Sequence, residues 1–454
     1  MPDTQGTVAE FQSPQGVRER CVALPDIPGG VYTRKDKARE EKFLAIDFYD
    51  QHIGLCPKTW STSPGTMVRD IAATGQSQAD YERVCKGKVV PSTVKKLAVY
   101  KQSMNQSNTS GTFSMSALLY YHFARYFDTS VTVPVAVYRE MDRKQHYQRV
   151  TKRGDALTSS GMIAAGWKHM ATAQADPARF AAAATLFTPD RSKIFGCMLK
   201  GKGERYGAEI NGVRSSWGTV QNEEFQRTAP YMALSRDLPL LQAIDEGKRL
   251  AFRDAKVKKD TVDASAFQMM YWMKELSELV LLDYIFSQQD RIGNIDFQWK
   301  WYWLDDGKVE SQDADSKLSR RDMSKIKVPA ELAGFSPVLL QRTVLNDNDA
   351  GGRVEYVNFA KKTGMLQKLR HFSADTFERL QRLNRDLQDG GEIFQYIKSQ
   401  FVLDDKQVNQ IVKNTRLATD ILQDTCSIGK LRFDLDAPKQ FFLTGRVELA
   451  EVAC

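Results

Sequence analysis

The chain has 454 residues, of which 42% are hydrophobic and 26% charged, enough to bury one large core or two moderate ones. No apolar run approaches the ~20 residues of a membrane-spanning helix, which argues against a span. Lysine and arginine number 64 against 56 acidic residues, and this mild excess of +8 suits an anionic ligand such as ATP, or an acidic substrate, better than nucleic acid.

Six cysteines stand at 21, 56, 85, 197, 426 and 454, with no Cys-x-x-Cys pair and no histidines clustered beside them, which argues against a zinc site. Cys56 and Cys85 flank one short N-terminal segment and fit either a bridge or two buried thiols. The opening Met1-Pro2-Asp3-Thr4-Gln5-Gly6 lacks the basic and apolar regions of a signal peptide. The expectation is therefore a cytoplasmic protein, or an extracytoplasmic one from which a leader was removed.

Residues 1–40, rich in proline, glycine and charge, read as an irregular arm, and 58–65 (KTWSTSPG) as a turn-rich loop. Strand signals begin beyond Lys88. Val89-Val90 is cut short by Pro91, and in the next run Leu97, Val99 and Lys101 share one face of a strand that the lysine closes. A polar loop at 105–111 precedes an apolar helical run at 117–127, and no glutamate occurs between Gly111 and Ser130. Residues 131–141 predict a strand with 146–150 as its partner, and 152–154 a hinge after the pair. Residues 155–265 are largely helical in composition, Ala-rich from 164 to 184 and periodic from 238 to 253. Gly201, Gly203, Gly207 and Gly212 mark an exposed loop within them, and His122, His146 and His169 read as packing or surface residues. The spacing of Met269, Trp272, Met273, Leu276, Leu279 and Val280 predicts a buried helix over 266–286.

That helix leads into Ser287-Gln288-Gln289-Asp290-Arg291-Ile292-Gly293-Asn294, an acid and a carboxamide four residues apart. A fixed aspartate can orient or deprotonate an acceptor hydroxyl, and an asparagine oxygen can hold a magnesium ion against phosphates. Phe297, Trp299, Trp301 and Trp303 then recur every second residue, and Asp306-Gly307 supplies a two-residue turn, so the chain predicts a hairpin. Its return strand ends in Asp313-Ala314-Asp315, which this reading carries back toward Asp290. Residues 316–327 are basic and polar. The run 346–352 (NDNDAGG) lacks the closing glutamate of a calcium loop and reads as a turn. Residues 359–426 return to amphipathic helices, and 430–454 form a mixed tail.

The order acid, loop, hairpin, acid resembles the atypical branch of the protein-kinase-like superfamily, which includes the Golgi casein kinase-like secretory kinases, the phosphatidylinositol kinases and the HipA-like kinases. A helix leading into Asp290-Arg291 carries the likeness, together with Ala98-Val99-Tyr100-Lys101, which is similar to the Val-Ala-Ile-Lys strand of kinases. The chain has no His-Arg-Asp, Asp-Phe-Gly or Gly-x-Gly-x-x-Gly; Gly87 is the one glycine in the expected turn region, and Asn294 follows Asp290 by four residues where the usual loop has five.

The resemblance implies an α+β, two-lobed kinase-like fold: an extension over 1–84, a small β-rich lobe over 85–154 and a larger helical lobe over 155–454. It implies Asp290 as the catalytic residue, Lys101 on the nucleotide phosphates, and Asn294 with Asp313 as ligands of Mg²⁺ or Mn²⁺, Asp315 being the reserve for Asp313 and Asp296 the rival to Asn294. The expected activity is ATP-dependent phosphate transfer to a hydroxyl of a protein, glycan or other acceptor. The alternatives are a pseudokinase that binds nucleotide or a partner, favoured by the missing helix glutamate, and an enzyme of the same fold that transfers AMP.

Overall fold

Seven strands hydrogen-bond into one antiparallel sheet in the order β1-β2-β6-β7-β5-β4-β3. They are β1 (Thr7–Gln12), β2 (Arg18–Ala23), β3 (Ile53–Pro57), β4 (Thr66–Asp70), β5 (Lys95–Gln102), β6 (Ala136–Asp142) and β7 (Lys193–Leu199). The computed structural model describes residues 6–86, 91–106, 108–179, 185–253, 264–315 and 326–454. Val89-Val90, Gly87, the end of the Ala-rich stretch and most of 316–327 lie outside them. The sheet draws strands from Thr7 to Leu199, so it extends to both sides of 85–154.

Lys101 lies on β5, beside the central strand β7 and directly across from its Cys197. On the other side of β5, β3 and β4 form a hairpin whose loop spans 58–65, closed by the Lys58 amide donating to the Gly65 carbonyl at 2.8 Å. A disulfide between Cys56 and Cys85 ties β3 to the residue that ends the helix Gln78–Val84, and a second joins Cys426 to Cys454.

Three stretches differ from their expected form. Residues 1–40 are not an irregular arm: β1 and β2 pair as a hairpin at the sheet edge, and Thr33 caps the helix Arg34–Leu44 by accepting from the Asp36 amide at 3.1 Å. Residues 146–150 are not a strand; Asp142 caps a helical segment through bonds from the Lys144 and Gln145 amides, and Arg143–His146, Tyr147–Thr151 and Lys152–Leu157 follow as helix, π-turn and helix. An aspartate accepting from the first helical amides starts a helix wherever the chain allows it. Conversely β7 runs through the region read as helical. Six of its seven residues are buried, so it shows no polar alternation to announce a strand.

The helix Ala266–Phe286 occupies its predicted span. Ser265 caps it by accepting from the Gln268 amide at 3.1 Å, and every residue from Phe267 to Phe286 is buried. It packs on the helices Ala229–Leu234 and Asp405–Ser427. No helix among the described residues is long and apolar enough to cross a membrane.

A second sheet centres on β9 (Asp296–Asp305), with β10 (Lys308–Asp313) on one edge, β11 (Val338–Val344) on the other, and β8 (Glu204–Arg205) pairing with its first two residues. Asp306 and Gly307 turn β9 into β10 with positive φ of 43° and 73°. Phe297, Trp299 and Trp301 are buried and Trp303 is half-buried against Phe335, while on the opposite face Tyr302 packs on Phe267 and Tyr271. Trp299 and Trp301 are core. Trp301→Ala should therefore cost about 3–5 kcal/mol of unfolding free energy, as large-to-small core changes do, in a denaturant titration with unchanged slope.

Candidate functional site

The site starts where the buried helix stops. Ser287 takes a left-handed conformation (φ 52°), and its hydroxyl receives hydrogen bonds from Asn414 at 3.1 Å and Asn358 at 3.3 Å. Arg291 then folds back along the helix. Its Nε donates to Asp283 at 3.0 Å and its Nη2 at 3.0 Å, while the Tyr120 hydroxyl donates to the same carboxylate at 2.6 Å. Both charges are buried. Burial pushes the Asp283 carboxyl up against the pull of Arg291, and Asp283 holds the guanidinium protonated against its own burial. The far side of the loop is pinned by Asn211, whose Oδ1 accepts from the Gly293 amide at 3.0 Å and the Ile295 amide at 3.2 Å.

Strand register decides which acids reach this loop. On β10, Asp313 pairs with Lys300, and the Ala314 amide donates to the Trp299 carbonyl at 3.0 Å. Asp313 thus stops four residues short of Asp296, roughly 13 Å along the strand at about 3.3 Å per residue. Asp313 and Asp315 line a cavity with Lys202, Gln298 and Trp299, not the one that holds Asp290. It is β11 that runs the whole way back, with Val344 level with Asp296, and it delivers residues 346–350 to the loop. There Arg291 donates to the Asn348 side chain at 2.8 Å and to the Asp347 carbonyl at 3.3 Å, and the Gln289 amide donates to the Ala350 carbonyl at 3.0 Å.

Asp290, Asn294, Asp347 and Asp349 consequently line one cleft. Lys101 of β5 backs two of its carboxylates, with its Nζ 3.1 Å from Asp349 and 3.5 Å from Asp347. Burial alone would depress the Lys101 ammonium; Asp349 and Asp347 reverse this and hold it above its ordinary range. These two carboxylates are the lysine's counter-charges, so the helix Ser114–Tyr126, which has no glutamate, supplies none. Lys58 of the β3–β4 loop also lines the cleft, its ammonium pushed down to about 8 by burial and by Lys101. Ser61, Thr62 and Ser63 of the same loop form its roof, and the Ser110 hydroxyl donates to the Thr62 carbonyl at 3.1 Å to close it against 105–112.

Asp290 sits at the mouth of this acidic group. Burial, followed by the charges of Asp347 and Asp349, raises its carboxyl to about 6, although the exposed Trp217 indole donates to its Oδ1 at 3.1 Å. Among the described residues, no three carboxylate, histidine or cysteine side chains gather closely enough to hold a metal ion as they stand. Asn294 Oδ1 and Asp347 Oδ2 already face one shared cation, the Arg205 guanidinium, which lies 3.2 Å from Asp347 and bonds Asn294 directly. Asp296 is less available, because its carboxylate is taken by Arg205 at 2.6 Å and by the Asn346 amide at 2.6 Å. Sequence reasoning placed Lys101, Asp290 and Asn294 here and did not find Asp347, Asp349, Lys58, Trp217 or Arg205. The legible signal was Val338–Val344, a strand that empties into two aspartates.

No family model matches the chain, and no curated protein matches it. Among solved structures it is similar to the crystal structure of the Golgi casein kinase, over 89% of this chain and 80% of that one, at 11% identity and a TM-score of 0.44. It is similar also to the same kinase with Mn and ADP bound, over 88% and 79%, at 10% identity and a TM-score of 0.43. A likeness this loose transfers neither a residue role nor an activity to this chain.

The buried pair that holds the loop is open to direct test. Asp283→Ala leaves the Arg291 charge without its partner and should destabilise the protein by about 3–5 kcal/mol in chemical denaturation. The double change Asp283→Leu with Arg291→Met should lose less stability than the single one, because no buried charge is left unpaired.

Proposed function

We propose that the protein is a kinase-like phosphotransferase that takes ATP and a divalent cation and phosphorylates a hydroxyl of an acceptor. The observation that supports this reading is convergence: Lys101, Asp290 with Asn294, and Asp347 with Asp349 come from three distant stretches and meet at one cleft roofed by a hairpin loop. A roofed hairpin, then a strand carrying a lysine, then an Asp-and-Asn loop, then a further acid is the order of parts that positions a triphosphate for in-line transfer. In this reading Asp290 accepts the acceptor's hydroxyl proton. A carboxylate poised near pH 6 is a better base at neutrality than one near its ordinary value. Lys101 binds phosphate oxygens, and Asn294, Asp347 and Asp349 hold Mg²⁺ or Mn²⁺, which when bound neutralises charge on the phosphates. Asp313 and Asp315 are left out of the ligand set by their register.

The closed cleft holds about 50 Å³, far below the few hundred a nucleotide needs, so the 58–65 and 105–112 loops part before one enters. Two disulfides suit an oxidising compartment, which supports an extracytoplasmic site of action. A second reading, a pseudokinase that binds nucleotide or a partner, draws on Arg205, which places a fixed positive charge between Asn294 and Asp347.

Transfer from γ-labelled ATP with Mn²⁺ tests the assignment. Asp290→Ala and Asp347→Asn should each reduce the rate by about 10²-fold or more, while Asp313→Ala should stay within about twofold of the parent. Full activity in Asp290→Ala would sink the phosphotransferase, and thermal stabilisation by ATP without any metal requirement would favour the pseudokinase. Label on the α-phosphate appearing in the acceptor would indicate AMP transfer.

The raised Asp290 carboxyl also fixes the sign of a pH effect. The base is the ionised form, so kcat/KM should fall as pH drops through about 6 and level off above it. An acid limb near 4 would show that the Asp290 carboxyl is not raised in the working protein.

A further inference from the structure

A cavity lies away from the Asp290 cleft and shares no lining residue with it. It holds about 450 Å³, a volume typical of small-molecule sites. Three separate parts of the chain enclose it: the helix Arg34–Leu44, the segment 124–135 after the helix Ser114–Tyr126, and residues 200–202 facing Gln298 and Lys300 of β9.

Its lining is cationic. Arg125 is spent on Asp36, which it binds at 2.7 and 3.0 Å. That leaves Lys35, Arg39, Lys200, Lys202 and Lys300 against Asp128 and Asp313. Among the described residues, none of those five makes an ion pair. Lys200 and Lys300 are half-buried, and each ammonium is held below its ordinary range, first by burial and then by neighbouring cations, Arg39 and Lys202 for Lys200 and Arg342 for Lys300. Like charges gathered in a partly desolvated hollow repel one another; Asp313 offsets this in part for Lys300, and a ligand of opposite sign would relieve the rest.

We propose that this cavity binds a small polyanion bearing several phosphate groups. Lysine ammoniums act as point charges for phosphate oxygens, and five cations spread around one hollow match a compound whose charges are distributed around it. The site stands apart from the nucleotide cleft, so its occupancy does not depend on phosphate transfer.

Isothermal titration calorimetry of the full chain tests this, with inositol hexakisphosphate and linear tripolyphosphate as probes and inorganic phosphate for comparison. The expected result is one saturable site for at least one multivalent probe, weaker with rising salt, and much weaker binding of inorganic phosphate. Lys200→Gln with Lys300→Gln should weaken it roughly tenfold or more. Lys406→Gln with Lys413→Gln, exposed lysines on the helix Asp405–Ser427, should stay within about twofold. If the first double variant melts early, Lys35→Gln with Arg39→Gln replaces it, and the same loss is expected. No saturable heat with either multivalent probe, an equal loss in the control variant, or tighter binding of a poly-glutamate peptide would each overturn the proposal. Loss of ATP-dependent transfer in any variant bears on the cleft and not on this site.

Discussion

The ion pair between Asp283 and Arg291 is the contact on which the site's geometry turns. It joins the last turn of the buried helix to the loop after it, and the same guanidinium reaches across to Asp347 and Asn348. One side chain thereby sets the distance between the two acid-bearing loops. A buried pair of this kind contributes little net stability against a hydrophobic alternative, but breaking it is expensive. Its use here is positional: the helix end, fixed by packing on every side, becomes the reference to which Asp290 and Asp347 are both tied.

Charge within the cleft follows from that arrangement. Asp347 and Asp349 meet Lys101 where a helix glutamate is absent, so the lysine is neutralised by groups that also face Asn294 and Asp290. Burial, and then the neighbouring carboxylates, raises Asp290, and burial, and then the charge of Lys101, lowers Lys58. Perturbed titratable groups gathered in one cleft are what makes it a candidate site.

Much of this was legible in the residues and some was hidden for identifiable reasons. The helix Ala266–Phe286 and the hairpin after it were readable because caps, periodicity and an Asp-Gly turn agree at every level. Asp290, Asn294 and Lys101 stand next to those strong signals. Asp347 and Asp349 were obscured because β11 joins β9 only after an intervening strand and a polar stretch, and local pattern cannot report which edge a distant strand will take. The 58–65 segment reads locally as a turn-rich loop and no more; its part in the cleft depends on β3 and β4 pairing beside β5, a tertiary fact. Likewise 146–150 has the alternation of a strand but comes after an aspartate placed to cap a helix.

Cys197 lies directly across the sheet from Lys101, fully buried, its thiol pushed up to about 12 by burial. A thiol in that state does not react with alkylating reagents while the strands remain paired, because only the exposed thiolate is a nucleophile. The sheet therefore carries its own chemical clock next to the lysine. The rate at which Cys197 becomes labelled measures how often the packing over β7 opens, and any compound that binds the folded cleft beside Lys101 slows that clock whether or not it is ever turned over.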